Sequence, residues 1–402
     1  MHPADEIRGI KSTLLDQKRI VLAITGSIAA VETIRLAREL IRHGATVIPV
    51  MTPAATRIIH PDALWFATGK KPIIELTGDT EHVRYCGRVN DPVDLVLIAP
   101  STANTISKIA LGIDDTAVTT FATTAIGSHR PMIIVPAMHL SMYDHDIVQE
   151  NVKTLKQQGI EFVDPFFKDN KAKLASTERI IACVLHRIGP KTLSGKNVLV
   201  IGGSTEEPID DVRCVTNKSS GRTALALATT AFYHGAEVRL WYGQSHTPTP
   251  SYLSLTRFQT IEDVKQLISQ EELDNFDVII VCAALADFIP QKQQGKITSR
   301  NETLTIQCDK ADKILPILRK RAQANTIIGF KLAESKQESI TQAKQLLTSI
   351  PLDGVIANTL SSIDSTEQTV WMVDQTDNIS KYTGSKEYVA SQIIKYIASV
   401  ML

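Results

Sequence analysis

Twice in this chain a short β-branched apolar run breaks on glycine and gives way to a segment whose apolar residues recur at helical spacing. Arg19–Thr25 ends in Gly26-Ser27, and Ile28–His43 then places Ile28, Val31, Ile34, Ala37 and Ile41 at the spacing of one helical face. Asn197–Gly203 repeats that opening, and His234-Gly235-Ala236-Glu237-Val238 echoes His43-Gly44-Ala45-Thr46-Val47. Strand, turn, helix and strand in that order predict parallel strands joined by crossover helices, so each half is expected to be an α/β layer structure. No fixed short period recurs, which excludes a solenoid.

The rhythm continues in the first half with strands predicted near Leu95–Ala99, Met132–Val135 and Ile160–Val163, and helices after Ser101 and Met142. Periodicity breaks over Leu185–Lys196, where His186-Arg187-Ile188-Gly189-Pro190 and Ser194-Gly195 supply linker chemistry. Domains over residues 1–190 and 191–402 follow. Strands are predicted in the second at Val278–Ala283, Thr326–Phe330, Gly354–Ala357 and Thr369–Val373, with helices at Ala311–Gln323, Lys336–Leu347 and Lys386–Val400. Both halves read as doubly wound, Rossmann-like sheets, whose ligands bind at the carboxyl ends of the strands. At 402 residues and 43% hydrophobic content, the chain supports two such cores.

Lys plus Arg and Asp plus Glu balance at 43 each, so no overall field favours nucleic acid or an anionic membrane. The longest apolar runs, Val93–Ala99 and Val278–Leu285, fall far below the roughly 18 to 20 residues that span a bilayer. Met1–Lys18 is polar and lacks a signal-peptide core, which predicts a cytoplasmic protein. The five cysteines, Cys86, Cys183, Cys214, Cys282 and Cys308, are scattered without Cys-x-x-Cys spacing, so neither a disulfide framework nor a zinc cage is encoded.

In the first half, Gly26-Ser27-Ile28-Ala29-Ala30 turns from a strand into a helix, where free N–H groups and the positive dipole end suit a phosphate. Ala99-Pro100-Ser101-Thr102-Ala103-Asn104-Thr105-Ile106 offers hydroxyls and an amide after another strand, and Pro136-Ala137-Met138-His139 follows a third, leading to Met142-Tyr143. A lone helix cap explains any one of these. Together and in order they resemble the flavoprotein family of homo-oligomeric cysteine decarboxylases, with a flavodoxin-like fold. That resemblance implies FMN held by Gly26, Ser27, Ile28, Ser101, Thr102, Asn104, Ala137 and Met138, and substrate near His139. It also points to His82, in the pair His82-Val83, as the active histidine that removes a proton while flavin oxidises the substrate. Two departures stand out. The family's Pro-Ala-Met-Asn is here Pro-Ala-Met-His139, and Asp164–Ser176 lacks the flap cysteine, leaving Lys171 or Lys173 as proton donors.

In the second half, a long connection follows Val198–Ile201: Gly202-Gly203-Ser204-Thr205-Glu206-Glu207-Pro208-Ile209-Asp210-Asp211-Val212-Arg213, then Thr216-Asn217-Lys218-Ser219-Ser220-Gly221. Its glycines, hydroxyls and bases suit phosphates without a P-loop lysine. Ala283-Ala284-Leu285-Ala286-Asp287-Phe288-Ile289-Pro290, Lys296, Gly329-Phe330-Lys331-Leu332-Ala333-Glu334 and Leu352–Asn358 complete a resemblance to phosphopantothenate–cysteine ligase. It implies that Asn217 contacts an acyl-nucleotide intermediate and that Lys296 covers the activated carboxylate. It further implies nucleotide and substrate contacts from Gly203, Ser204, Arg213, Ser220, Ala283 and Asp287. Ala311, Asp312, Lys313, Ile314, Phe330 and Lys344 extend that set along the chain. The family's Lys-Ile-Lys-Lys is here Lys296-Ile297-Thr298-Ser299, and the partner of Lys344 one turn on is Thr348, so Lys310, Lys313 or Lys331 are candidate substitutes.

Fusion in this order is the arrangement of bifunctional prokaryotic, archaeal-type members of coenzyme A biosynthesis. The expected ligands are 4'-phosphopantothenate, cysteine, CTP with Mg2+, phosphopantothenoylcysteine and FMN, with no nucleic acid and no membrane. The resemblance also implies a homo-oligomer of trimeric decarboxylase and dimeric ligase units. CTP against ATP stays open, as do the Mg2+ ligands. A regulatory, non-decarboxylating flavin domain is the second reading, and a nicotinamide reductase is disfavoured because neither opening turn carries the glycine fingerprint.

Overall fold

β-Branched and leucine-rich runs buried on both faces carry the first unit, Met1–Pro190. Its strands are β1 (Arg19–Ile24), β2 (Thr46–Met51), β3 (Leu95–Ser101), β4 (Met132–Pro136), β5 (Met138–His139), β6 (Glu161–Phe162), β7 (Phe166–Lys168) and β8 (Lys171–Lys173) in the computed structural model. The structure describes residues 2–298, 303–362 and 365–401. Five strands form a sheet in the order β2-β1-β3-β4-β6, every pair parallel. Continuous apolar strands are what a sheet covered by helices on both faces requires. The order reverses between β1 and β3, which opens a crevice beyond their carboxyl ends. β7 and β8 form a hairpin that pairs with β5.

The single helix expected over Ile28–His43 is two elements. A 3-10 turn covers Ile28–Glu32 and an α-helix covers Thr33–Arg42. Three residues per turn rather than 3.6 shifts the phase, so the first two residues of that stripe, Ile28 and Val31, are not buried. Ile28 and Val31 are 77% and 50% exposed, while Thr33, Leu36, Ala37, Leu40 and Ile41 face the core. The break expected from Leu185 begins later, because helix Thr177–Ile188 continues until Gly189 donates to the Leu185 carbonyl at 2.8 Å.

The second unit, Lys191–Leu402, holds β9 (Asn197–Gly202), β10 (Glu206–Pro208), β11 (Cys214–Thr216), β12 (Glu237–Tyr242), β13 (Ser254–Arg257) and β14 (Val278–Val281). β15 (Phe288–Pro290), β16 (Cys308–Lys310), β17 (Thr326–Ala333), β18 (Gly354–Thr359), β19 (Glu367–Asp374) and β20 (Ile379–Ser385) follow. The sheet order is β13-β12-β9-β14-β17-β18-β19-β20; the first six are parallel and the last two antiparallel. Alternation in β9 shows why two helical layers are needed. Val198 and Val200 pack with Leu227, Val389 and Ile393, whereas Leu199 and Ile201 pack with Val264, Ile268 and Leu318. Burying one such side chain contributes roughly 1.5 to 3 kcal/mol.

Two small hairpins, β10–β11 and β15–β16, rise from the loops after β9 and β14. The helix expected from Ala311 begins at Ile314, since the Ala311 N–H is committed to the Asp287 carbonyl at 2.9 Å. That leaves Ala311-Asp312-Lys313 as loop beside the β14 end.

Candidate active sites

Three loops meet at the carboxyl edge of the first sheet. The Thr25 hydroxyl donates to the Pro100 carbonyl at 2.9 Å and accepts from the Thr102 N–H at 3.1 Å. Ser27 donates to the Ala137 carbonyl at 3.1 Å, and the Ala137 N–H donates to the Ser101 carbonyl at 2.9 Å. Four bonds thus tie Gly26-Ser27, Ser101-Thr102 and Ala137 into one cradle. A Cβ at residue 26 would lie 2.6 Å from the Ala54 Cβ, so only glycine lets this turn pass.

Within the cradle the Ser101 hydroxyl is fully buried without a hydrogen-bond partner among the described residues. A buried orphan hydroxyl costs about 1 to 3 kcal/mol unless a ligand satisfies it. Thr102 caps helix Ala103–Ala110 through the Thr105 N–H at 3.3 Å, and Asn104 is exposed on that first turn. The resulting set of a helix start, hydroxyls and an exposed amide fits a phosphate-bearing group. His82 stands outside this hydrogen-bonded set. It lies in the first turn of helix Glu81–Cys86, its Nδ1 also buried without a partner among the described residues.

The hairpin β7–β8 brings Lys171 into register with His139 and Ala172 with Met138. His139 caps the short helix Leu140–Tyr143, its Nδ1 2.9 Å from the Ser141 hydroxyl. Asparagine caps in the same way, which explains how histidine is accommodated there. Lys173 is tied to Asp169 at 2.9 Å, so Lys171 is the better placed of the two hairpin lysines. Burial pushes the thiols of Cys86 to about 12, Cys183 to about 11 and Cys282 to about 12. They stay protonated packing residues and offer no reactive thiolate.

At the carboxyl edge of the second sheet, the Asn217 amide donates to the carbonyls of Ala284 at 3.0 Å and Leu285 at 3.3 Å. Thr216 donates to the Thr205 carbonyl at 2.7 Å and to the buried Ser204 hydroxyl at 3.3 Å. The Ala286 N–H donates to the Thr205 hydroxyl at 3.0 Å. The loops after β9 and β14 are therefore stitched together, with Gly203 and Ala283 in their floor. Ser220 offers its carbonyl to Ser245 at 2.7 Å and Thr247 at 2.8 Å. Gly221, at φ +71°, precedes helix Arg222–Tyr233, and a Cβ there would strike the Tyr242 hydroxyl at 2.1 Å.

Asp287 and Lys313 form an exposed ion pair beside Ala311. Asp312 turns away to Lys265 at 3.0 Å, and Ile314 is buried in the core. Phe330 packs, half-buried, within β17, one residue past Gly329, which pairs with Val281 of β14. Arg213 reaches the backbone beside Lys296 through a clamp on Asp210: it donates to the Asp210 carboxylate at 2.6 Å and to the Ile297 carbonyl at 3.2 Å. Lys344 stands apart from these residues. It pairs with Asp377 at 3.1 Å, just past β19, whose Asp374 lies opposite Gly354 at the start of β18. That is the amino edge of the parallel strands, so within one chain Lys344 does not join the Asn217 cluster. Ser299 lies outside the described residues.

Residues 8–189 match the Flavoprotein family, and residues 193–401 match the DNA/pantothenate metabolism flavoprotein C-terminal domain. The coenzyme A biosynthesis bifunctional protein CoaBC of Thermococcus kodakarensis is 44% identical over 378 residues, 93% of each chain. The chain belongs to that bifunctional coenzyme A biosynthesis family. The Methanocaldococcus jannaschii member is 36% identical over 409 residues, covering 100% of this chain and 98% of its own. A solved structure of the C-terminal domain of a CoaBC protein aligns with 52% of this chain and 98% of its own at 27% identity, with a TM-score of 0.45. Ligation and flavin-dependent decarboxylation in coenzyme A biosynthesis are this chain's two activities. Among the described residues no helix is long and apolar enough to cross a membrane.

For a member of this family, sequence reasoning overlooked two residues that build the sites. Thr25 closes the cradle from the last position before Gly26, where a strand-end threonine is an ordinary sight. Asp210, 2% exposed, anchors the Lys296 segment. Its signal was an acid three residues ahead of Arg213, the spacing of a local carboxylate turn.

Proposed function

We propose that the second unit joins 4'-phosphopantothenate to cysteine through an acyl cytidylate made from CTP, and that the first unit decarboxylates phosphopantothenoylcysteine to 4'-phosphopantetheine with FMN. The convergence of Asn217 on the Ala284 and Leu285 carbonyls carries the ligase half, because it fixes a neutral amide on the loop that leads to the Asp287–Lys313 pair. The amide orients the intermediate while Lys296 offsets charge where two anions approach. Among the described residues no group of three His, Cys, Asp or Glu side chains forms a metal cage. Mg2+ enters with the triphosphate as part of the substrate.

In the first unit, Gly26, Ser27, Ile28, Ser101, Thr102 and Asn104 hold the flavin phosphate and ribityl groups, and Ala137, Met138 and His139 border the substrate. FMN, when bound, supplies the two-electron chemistry that makes carbon dioxide loss easy. His82 removes the substrate proton, an imidazole task near neutrality. Lys171 donates the final proton in place of the family's flap cysteine. Exposed Ile28, Val31, Phe66 and Leu111 suit burial against further copies, in line with trimeric decarboxylase units; the ligase units are dimeric and the protein cytoplasmic.

A second reading, a flavin-binding regulatory domain, draws on the cysteine-free hairpin. One preparation separates the two: a yellow protein that releases pyrophosphate from CTP and carbon dioxide from phosphopantothenoylcysteine supports the bifunctional enzyme. Pyrophosphate release without carbon dioxide leaves the regulatory reading, and a better rate with ATP changes the nucleotide.

A further inference from the structure

Two adjacent carboxylates on one loop hold the backbone on both sides of Lys296. Asp210 accepts the Ile297 N–H at 3.0 Å, and Asp211 accepts the Gly295 N–H at 2.9 Å. The Asp211 N–H returns a bond to the Gly295 carbonyl at 3.2 Å, and Lys292 pairs with Asp211 at 2.9 Å. Arg213 closes the ring by bridging Asp210 and the Ile297 carbonyl. Lys296 is thus the residue between two pinned neighbours, with its own side chain exposed.

The buried member differs from the exposed one in what it stabilises. Asp210 also accepts the N–H groups of Val212 at 2.8 Å and Arg213 at 2.6 Å. Burial alone would raise its pKa, but the N–H groups of Ile297, Val212 and Arg213, together with the Arg213 charge, bring it down to about 2. A carboxylate ionised at every working pH is a permanent anchor. Asp211, half-exposed at its side chain, adds a second and separable one.

We infer that Asp210 and Asp211 are positioning residues for the ligase reaction, fixing the Lys296 backbone so that its ammonium group is placed before the nucleotide arrives. This rests on the reading of Lys296 given under Proposed function. A cation fixed in advance stabilises the transition state without reorganising at the moment of reaction, whereas a cation on a loose segment must be ordered each turnover. Loss of either anchor therefore lowers the rate constant and leaves ground-state binding little changed.

The test uses the full chain and measures pyrophosphate release from CTP and 4'-phosphopantothenate without cysteine, for Asp210→Asn, Asp211→Ala and Lys296→Gln. Hydrogen exchange is followed at the amides of Gly295 and Ile297. Both aspartate variants are expected to lose roughly tenfold to a hundredfold in kcat, with KM for each substrate within about twofold and faster exchange at those amides. Asp211→Ala keeps the test alive if the buried Asp210→Asn variant does not fold, because its carboxylate is not part of the core. Normal kcat in a folded aspartate variant whose Lys296→Gln counterpart is inactive overturns the inference alone. A fully active Lys296→Gln variant overturns the reading of Lys296 and the inference with it.

Discussion

The Ser12 hydroxyl lies 2.7 Å from the Nδ1 of His43, and the second unit repeats the pair as Thr192 and His234 at 3.0 Å. Each histidine ends the first helix of its sheet, and each gives its carbonyl to a leucine N–H ahead of the first strand: His43 to Leu15 at 2.8 Å and His234 to Leu193 at 3.0 Å. A second repeated device pins the strand starts. Asp94 takes the Arg19 N–H and Lys18, and Asp277 takes the Asn197 N–H and Lys196. The echo between His43-Gly44-Ala45 and His234-Gly235-Ala236 in the sequence is thus a shared way of starting a sheet.

These histidines make stability depend on pH. Burial, aided by the charge of Lys11 and opposed by Glu39, lowers His43 from an ordinary 6.5 to about 4. Burial and Lys395 lower His234 as well. The unfolded chain then binds more protons than the folded one below pH 6.5, so stability is fully present above that value and is lost as pH falls towards 4. For His43 the fall is worth roughly 3 kcal/mol. Urea melts between pH 7 and 4 are expected to show the loss, and His43→Gln to flatten the profile of the first unit; an unchanged slope in that variant would remove His43 as its source.

Ser101→Ala separates packing from binding. In the flavin-free protein the substitution removes a buried hydroxyl that has no partner, so apo stability is expected to hold or rise by about 1 kcal/mol. Flavin affinity is expected to fall by roughly fivefold to tenfold, the worth of one hydrogen bond. Fluorescence titration with FMN beside an apo thermal melt checks both, and a drop in apo stability with unchanged affinity would show that the hydroxyl serves the fold.

Much of this architecture was legible because apolar runs of β-branched residues bounded by glycine have few alternatives. The final helix, Lys386–Val400, falls on its predicted bounds. Elements set by tertiary partners were not legible. Ile28 and Val31 look like a buried stripe until the 3-10 turn rotates them outward, and Ala311 looks helical until Asp287 claims its N–H. The same limit applies to the sites. Loop motifs at strand ends located Ser101 and Asn217, because strand ends in such sheets are where ligands bind. Resemblance to the ligase family grouped Lys344 with Asn217, and the strand directions place it at the amino edge of its own sheet.

For decarboxylation, His82→Asn is expected to keep the yellow colour and lose carbon dioxide release by roughly a hundredfold or more. Its Nδ1 is a buried atom without a partner among the described residues and not a member of the cradle that ties Gly26, Ser101 and Ala137. Proton removal and flavin retention should therefore come apart. Release of carbon dioxide at the unmutated rate would transfer the role to another residue, with His139 and Lys171 next to be changed.

Ligation divides into formation of the acyl nucleotide and attack by cysteine, and Lys296 and Asn217 should divide with it. The first step brings a carboxylate against an α-phosphate, two anions that a fixed cation draws together more strongly in the transition state than apart. Lys296→Gln removes that charge and leaves a hydrogen-bonding group, so pyrophosphate release without cysteine is expected to fall by roughly a hundredfold. Asn217 carries no charge. Its amide donates to the Ala284 and Leu285 carbonyls, which holds the loop after β11 against the loop after β14. Asn217→Asp replaces the donor with an acceptor facing those two carbonyls, so the intermediate is expected to form and to be converted slowly. Mass detection of the acyl nucleotide made from isotope-labelled phosphopantothenate reads both outcomes. Normal accumulation of acyl nucleotide by Lys296→Gln, or none by a folded Asn217→Asp, would reverse the assignment of the two steps.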